Sequence, residues 1–334
     1  MKACYVSQTN QNRLEFVFDG RREAFARELD IIEPVINRHN LTEHRELIKD
    51  VEVILCTWGM ETFTVDEIRF YFPSLKLVLY AAGSVQYFAK PFLETGVRIV
   101  SSSYAMARFV AEYTVATIYH ANKGFYSAMR MYKEKGYRIA HDYSTMLMAG
   151  SYGTKVGLLG AGTIGRMVIG MLKNAAIDIL VYDPFLPRNE AEQLCVIPTS
   201  LEQLFEECQT ISNHLADKKE IEGILNYNLF RRMKKDATFI NTGRGRQVVE
   251  ADLARALQDE PGRFAVLDVT WPEPMADDHV FWTLPNIYIT PHIAGYSRKE
   301  VWAFSDLLLE ELSRYRNNEP LKYEVHLSML PLLA

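Results

Sequence analysis

Three residues late in the chain have the types and placement that acid–base chemistry on an anion requires: Arg244 in NTGRG, Glu273 in DVTWPEP and His292 in TPHIAG. Arg244 stands between Gly243 and Gly245 with no apolar pattern around it. A tight turn at a strand end can therefore hold its guanidinium out to take a carboxylate bidentately. His292 follows an apolar run and a proline; by itself it reads as a core histidine, and Glu273 by itself as a solvated loop acid. Together they make a carboxylate–imidazole pair, which fixes the tautomer and suits a general acid or base. Two more polar residues follow apolar runs. Asp268 fits a turn residue or a hydrogen-bond acceptor for a ligand, and His214, in SNHLA, fits a structural histidine or one packed along a ligand.

The elements that must position these groups are organised around residues 155–183, KVGLLGAGTIGRMVIGMLKNAAIDILVYD. A short apolar run, 155–159, leads into Gly160, Gly162 and Gly165 in the spacing G-x-G-x-x-G. A helix follows with Ile164, Val168, Met171 and Leu172 on one face, and a second buried-type strand, 179–182, ends in Asp183. The first glycine permits the turn, the second leaves room for a pyrophosphate, and the third lets helix pack close on strand. The helix N-terminus, with free N–H groups and a positive dipole end, then holds the phosphates. Asp183, 18 residues past the last glycine, stands where a carboxylate accepts from an adenosine ribose. That favours NAD over NADP, because a 2′-phosphate would meet a negative charge.

Elsewhere short apolar runs alternate with helical ones. Residues 3–6, 51–56, 75–81 and 97–100 read as strands between helices at 22–31, 42–49 and 65–72. A long helix over 105–133 is apolar further round than an amphipathic helix needs, which implies a homodimer contact, and 136–153 reads as an arm or loop. Later strands, 210–213, 237–240, 263–267 and 287–289, end at His214, at Asn241, Thr242, Gly243 and Arg244, at Asp268, and at Thr290, Pro291 and His292. Ligands bind beyond the carboxyl ends of parallel strands, so Thr242 and Gly243 join the cofactor cleft. Further helices are expected at 217–225, 250–258 and 297–317. The alternation gives an α/β protein of two doubly wound parallel sheets. A Rossmann cofactor domain, 103–296, is inserted in a flavodoxin-like substrate domain, 1–102 plus 297–334, on which the apolar tail 321–334 docks.

A chain of 334 residues suits two domains. Its 48% hydrophobic and 24% charged composition is that of a globular protein. A formal charge of -5 without a basic block argues against nucleic acid or an acidic membrane surface as partner. No apolar run approaches the roughly 18 residues of a membrane span. The N-terminal MKACYVSQTNQNR lacks the apolar core of a signal peptide, so the cytoplasm is the expected location. Cys4, Cys56, Cys195 and Cys208 are scattered, which points to reduced thiols rather than disulfides or a metal site.

Four motifs in order, VGLLGAGTIGR with VYDP, INTGRGRQVVEADLARAL, AVLDVTWPEP and TPHIAGYS, resemble the D-isomer-specific 2-hydroxyacid dehydrogenase family, and VAEYTVA resembles the family's helix at the domain junction. The resemblance implies NAD-dependent hydride transfer at C2 of a 2-hydroxy or 2-oxo acid. Arg244 then binds the substrate carboxylate and carbonyl, His292 is the acid/base, and Glu273 supports it. It further implies that Thr163 and Ile164 present backbone to the pyrophosphate, that Asp183 holds the ribose and Asp268 the nicotinamide, and that Gly83 and Ser84 in YAAGSV offer N–H groups to the substrate carboxylate. The chain departs from the family at Val85 and Gln86, where an Asp-Asn pair is usual, at Ala216, where proline is usual, and near Met106, where an asparagine is usual. The same scaffold also carries nucleotide-sensing corepressors and formate or phosphite dehydrogenases. The Arg244, Glu273 and His292 set argues against a sensor, and the Glu273–His292 pair against formate, whose oxidation leaves no alkoxide to protonate.

Overall fold

A computed structural model gives the described residues, 1–8 and 11–332, as two mainly parallel sheets with helices between their strands. Residues 9, 10, 333 and 334, the last two belonging to the expected apolar tail, lie outside the described residues. The chain divides into two compact units, Met1–Met106 with Tyr296–Ala334, and Ala107–Gly295. Among the described residues no helix is long and apolar enough to cross a membrane.

The first unit is built on β1 (Lys2–Val6), β2 (Asp30–Ile36), β3 (Val53–Cys56), β4 (Leu77–Tyr80) and β5 (Arg98–Ser101). Their spatial order is 2-1-3-4-5, all parallel. Central strands β3 and β4 are buried at every position, which is why they read as unbroken apolar runs. β2 is the correction. The helix expected over 22–31 stops at Glu28, and an edge strand begins at Asp30. Pro34 and two acidic residues disguise it, and only an edge strand tolerates them. The helix Val65–Tyr71 starts in a capping box, the Thr64 hydroxyl accepting from the Glu67 N–H at 3.2 Å while the Glu67 carboxylate accepts from the Thr64 N–H at 2.8 Å.

The second unit carries β6 (Thr154–Leu159), β7 (Ile177–Tyr182), β8 (Ile197–Pro198), β9 (Thr210–Asn213), β10 (Thr238–Asn241), β11 (Phe264–Leu267) and β12 (Ile287–Ile289). All are parallel in the order β12-β11-β10-β9-β6-β7-β8, so the order reverses at β6. That is the doubly wound pattern, with its switch point beside the strand that feeds the glycine turn. A final two-residue strand, β13 (Glu324–Val325), closes the first unit's sheet antiparallel to β5.

Three expectations in the second unit are corrected. The single helix expected over 105–133 is two, Ser103–Asn122 and Phe125–Lys135, because Gly124 adopts a left-handed φ of 63° against the Met148 side chain, where a Cβ has no room. The arm over 136–153 contains the helix Tyr137–Asp142 and a wider turn, Tyr143–Leu147. No helix forms over 217–225 beyond the short turn Lys219–Ile221. Gly223 and Leu225 instead donate N–H groups to the carbonyls of Arg246 and Gln247 at 3.0 Å each, which ties this segment to the Arg244 turn.

Candidate active site

Arg244, Asp268 and His292 leave the carboxyl ends of β10, β11 and β12, three strands adjacent in the second sheet. Register therefore sets the polar ends side by side, since Asn241 pairs with Leu267 and Leu267 with Ile289.

The β10 turn is braced by three buried amides, Asn213, Asn241 and Gln247, each at most 1% exposed. Asn213 Nδ2 donates to Asn241 Oδ1 at 3.0 Å and to Gln247 Oε1 at 2.7 Å. Asn241 Oδ1 accepts from the Gly243 N–H at 3.0 Å, and Gln247 Nε2 donates to the carbonyls of Ala216 and Leu215. A Cβ at Gly243 would crowd Asn213, and one at Gly245 would overlap the Thr270 carbonyl, so both glycines are required by close approach. Thr242 is buried with its hydroxyl 3.3 Å from that of Thr114. Arg244 is thus held at its backbone by neutral groups, while its guanidinium is one-third exposed and paired with Asp217. Sequence reading missed Asp217, Asn213 and Gln247, and had Asn241 only as a polar strand end. The signal available was a glutamine three residues after Arg244, just ahead of the apolar pair Val248 and Val249.

The β12 turn is held differently. His292 has a φ of +55°, rare for a residue with a Cβ and costing of order 1–3 kcal/mol. Asp268, 3% exposed, compensates: its carboxylate accepts from Thr290 Oγ1 at 2.6 Å and from the N–H groups of Ile293 and Ala294 at 2.8 and 2.9 Å. Tyr113 in turn bonds Thr290 Oγ1 at 3.0 Å. Of its two sequence-level readings, Asp268 fills the turn role here, with both oxygens engaged. His292 Nδ1 lies 2.8 Å from Glu273 Oε1, both side chains about half exposed. Because a carboxylate only accepts, the contact places the proton on Nδ1 and leaves Nε2 outside the pair.

At the switch point the backbone makes a cradle. Gly160 is at φ 95°, with the His214 carbonyl where a Cβ would sit; a Cβ on Gly165 would overlap the Gly160 carbonyl. Beside Gly162 there is open space, and this residue heads the helix Thr163–Leu172 without a side-chain cap, leaving the N–H groups of Thr163 and Ile164 for an anion. Asp183 Oδ2 accepts from the Ala161 N–H and Oδ1 from the Phe185 N–H, both at 2.8 Å, so the acid also ties down the glycine turn. His214 is 9% exposed, with Nε2 2.9 Å from Ser212 Oγ and a buried Nδ1 that has no partner among the described residues. Burial lowers its pKa to about 4, so it is neutral near pH 7.

The model for the D-isomer specific 2-hydroxyacid dehydrogenase NAD binding domain matches residues 115–294, more than half of the chain. The chain belongs to the D-isomer-specific 2-hydroxyacid dehydrogenase family. It is an NAD-dependent dehydrogenase of that family, and the uncapped helix, the open space beside Gly162 and Asp183 fit the dinucleotide. The glyoxylate reductase of Korarchaeum cryptofilum is 27% identical over 276 residues, 82% of each chain. A formate dehydrogenase of Chaetomium thermophilum is 29% identical over 276 residues, 78% of this chain and 73% of that one. The D-3-phosphoglycerate dehydrogenases it matches are mostly longer, the chain spanning 33% of that from Archaeoglobus fulgidus and 54% of that from Methanocaldococcus jannaschii. A phosphoglycerate oxidoreductase from Rhizobium etli shares the fold with a TM-score of 0.78 at 22% identity, covering 97% of both chains.

In the first unit, Gly83 and Ser84 follow the carboxyl end of β4. The Gly83 carbonyl accepts from Ser101 Oγ at 2.8 Å, while the N–H groups of Gly83 and Ser84 meet no acceptor among the described residues. They are donors of the kind a carboxylate takes.

Proposed function

We propose that the chain interconverts a 2-oxo acid and a D-2-hydroxy acid, with Arg244 as the carboxylate and carbonyl anchor, His292 as the acid/base and Glu273 as its support. Held by the turn at Gly160, Gly162 and Gly165, a nicotinamide dinucleotide would supply or accept the hydride at C2. The observation that carries the reading is the His292–Glu273 contact at 2.8 Å on a turn that Asp268 holds in a left-handed conformation. A carboxylate on Nδ1 orients the ring and supports the imidazolium, so Nε2 delivers a proton to the alkoxide that forms at C2 during reduction. Arg244 contributes fixed positive charge where the carbonyl oxygen turns negative, which needs no reorganisation during reaction. Asp183 disfavours NADP by repelling its 2′-phosphate.

Formate oxidation develops no alkoxide, so a carboxylate-supported histidine has no proton to deliver there; the Glu273–His292 pair favours the hydroxy acid over the formate reading. A homodimer is proposed through the helix Phe125–Lys135, the second half of the long helix expected from the sequence, and the segment that follows it. Tyr132, Tyr137, Ile139, Met146, Leu147 and Tyr152 are each more than half exposed there, an apolar patch that a second copy would cover.

The test is steady-state NADH oxidation over 2-oxo acids of graded size, with formate in the reverse direction. Arg244→Ala and His292→Ala are each expected to lower kcat/KM by about a thousandfold or more while NADH binds as before. Undiminished kcat in His292→Ala, or turnover of formate alone, overturns the reading.

A further inference from the structure

The guanidinium of Arg244 is committed along one edge. Its Nε–H donates to Asp217 Oδ2 at 3.2 Å, and one Nη1–H donates to the Gly243 carbonyl at 3.0 Å. Asp217 is shared: its Oδ1 accepts from Arg246 Nε at 2.8 Å and lies 2.6 Å from Arg246 Nη2. The Asp217 side chain is 14% exposed, against 32% and 35% for the two arginines, so the carboxylate is drier than either cation. Burial pushes the Asp217 carboxyl pKa up, but hydrogen bonds and charge from Arg246 and Arg244 outweigh it, and the net direction is below the ordinary value. An ionised, largely buried carboxylate between two guanidiniums is a constructed contact rather than a passing surface pair.

Guanidinium geometry gives the contact a consequence. Arginine has five N–H donors and can grip a carboxylate side-on, using Nε and one Nη, or end-on, using both Nη atoms. With Nε–H given to Asp217, the side-on grip is closed. The donors that remain, one on Nη1 and two on Nη2, form the end-on fork.

We propose that Asp217 is the positioning residue of the site, fixing the direction in which Arg244 presents its end-on fork to the substrate carboxylate and carbonyl; this rests on the reading of Arg244 as the anchor. Arg246 holds the second oxygen of Asp217, and its guanidinium carbon lies 5.9 Å from the ring centre of Trp271, two residues before Glu273. The backbone of the same loop is fastened to the Arg244 turn, since Gly245 packs on Thr270. Asp217 is not what ties its own loop down. The carbonyls of Leu215 and Ala216 are already bonded by Gln247 Nε2, so the loop keeps its anchor when Asp217 is changed.

Full-length Asp217→Ala and Asp217→Asn are compared with wild type by titrating NADH alone through its fluorescence and by steady-state kinetics on the 2-oxo acid that wild type reduces best. In Asp217→Ala, KM for the oxo acid is expected to rise about tenfold with a smaller loss of kcat, and the NADH Kd to stay within about twofold. Asp217→Asn should recover part of the loss, because its one side-chain oxygen can take the place of Asp217 Oδ2 and accept the Arg244 Nε–H. An unchanged KM overturns the proposal, and so does a lowered one, which would make Asp217 a competitor for Arg244. A parallel rise in NADH Kd also overturns it, since a collapsed loop would then explain the effect. Arg244→Ala, measured alongside, separates the two levels. If it retains wild-type turnover, the anchor itself is wrong; if it is inactive while Asp217→Ala is normal, only the positioning role fails.

Discussion

The turn after β10 is held by uncharged amides and the turn after β12 by one carboxylate, although both leave the same edge of one sheet. The difference follows from what each turn leaves unsatisfied. Around Arg244 both kinds of backbone group need partners: the N–H groups of Gly243 and Leu215, and the carbonyls of Arg244, Leu215 and Ala216. An amide side chain can donate and accept at once, which a carboxylate cannot. Around His292 the Thr290 hydroxyl and the Ile293 and Ala294 N–H groups converge as donors on one point. There an ionised carboxylate, which only accepts, is the matching group. A second consequence is electrostatic. Neutral braces beneath Arg244 leave its charge to Asp217, whereas the buried Asp268 carboxylate is engaged by three donors.

Isosteric swaps test this comparison directly. Asp268→Asn puts an NH2 group among converging donors, leaving at least one of them unpaired in a buried place. Stability is expected to fall by about 3 kcal/mol and kcat by about a hundredfold as the His292 turn relaxes. Urea unfolding and kcat check it, and a midpoint close to wild type would break the comparison. Gln247→Glu is the mirror image, setting a carboxylate oxygen against the carbonyls of Leu215 and Ala216. A loss of about 2 kcal/mol is expected in the same unfolding assay, and an unchanged curve would mean that the amide's donor function is dispensable. The smallest effect on stability belongs to Glu273→Gln. Its pair with His292 is about half exposed, so unfolding should shift by less than about 0.5 kcal/mol while kcat/KM drops about tenfold. A large stability loss there would make Glu273 a structural residue.

Much of the second sheet was legible because β9, β10 and β11 are short runs buried at every position, each followed by a polar residue; 210–213 and 287–289 were read at their observed bounds. The glycine spacing was legible for a similar reason, since backbone turns and close approaches permit few substitutes at Gly160 and Gly165. The Glu273–His292 pairing was read as a set, and the structure puts the two in hydrogen-bond contact. β2 was hidden by Pro34, the break at Gly124 by helix formers on either side, and Asp217 by its resemblance to the first acid of a helix. In each case the local signal was real and a partner distant in sequence overruled it.

By itself the sequence determined the class of sheet, the dinucleotide turn and the identity of the groups able to do chemistry, because these depend on periodicity, backbone permissiveness and side-chain type within a short window. The Glu273–His292 pair aside, tertiary structure decided what each group is bonded to. Asp268 serves its turn because β11 and β12 are neighbours, and Asp217 takes the Nε edge of Arg244 because the segment after β9 pairs with the turn after β10. Hydrogen bonds of that kind join residues 22 to 34 positions apart, and their donors and acceptors are matched only when the strands that carry them lie side by side.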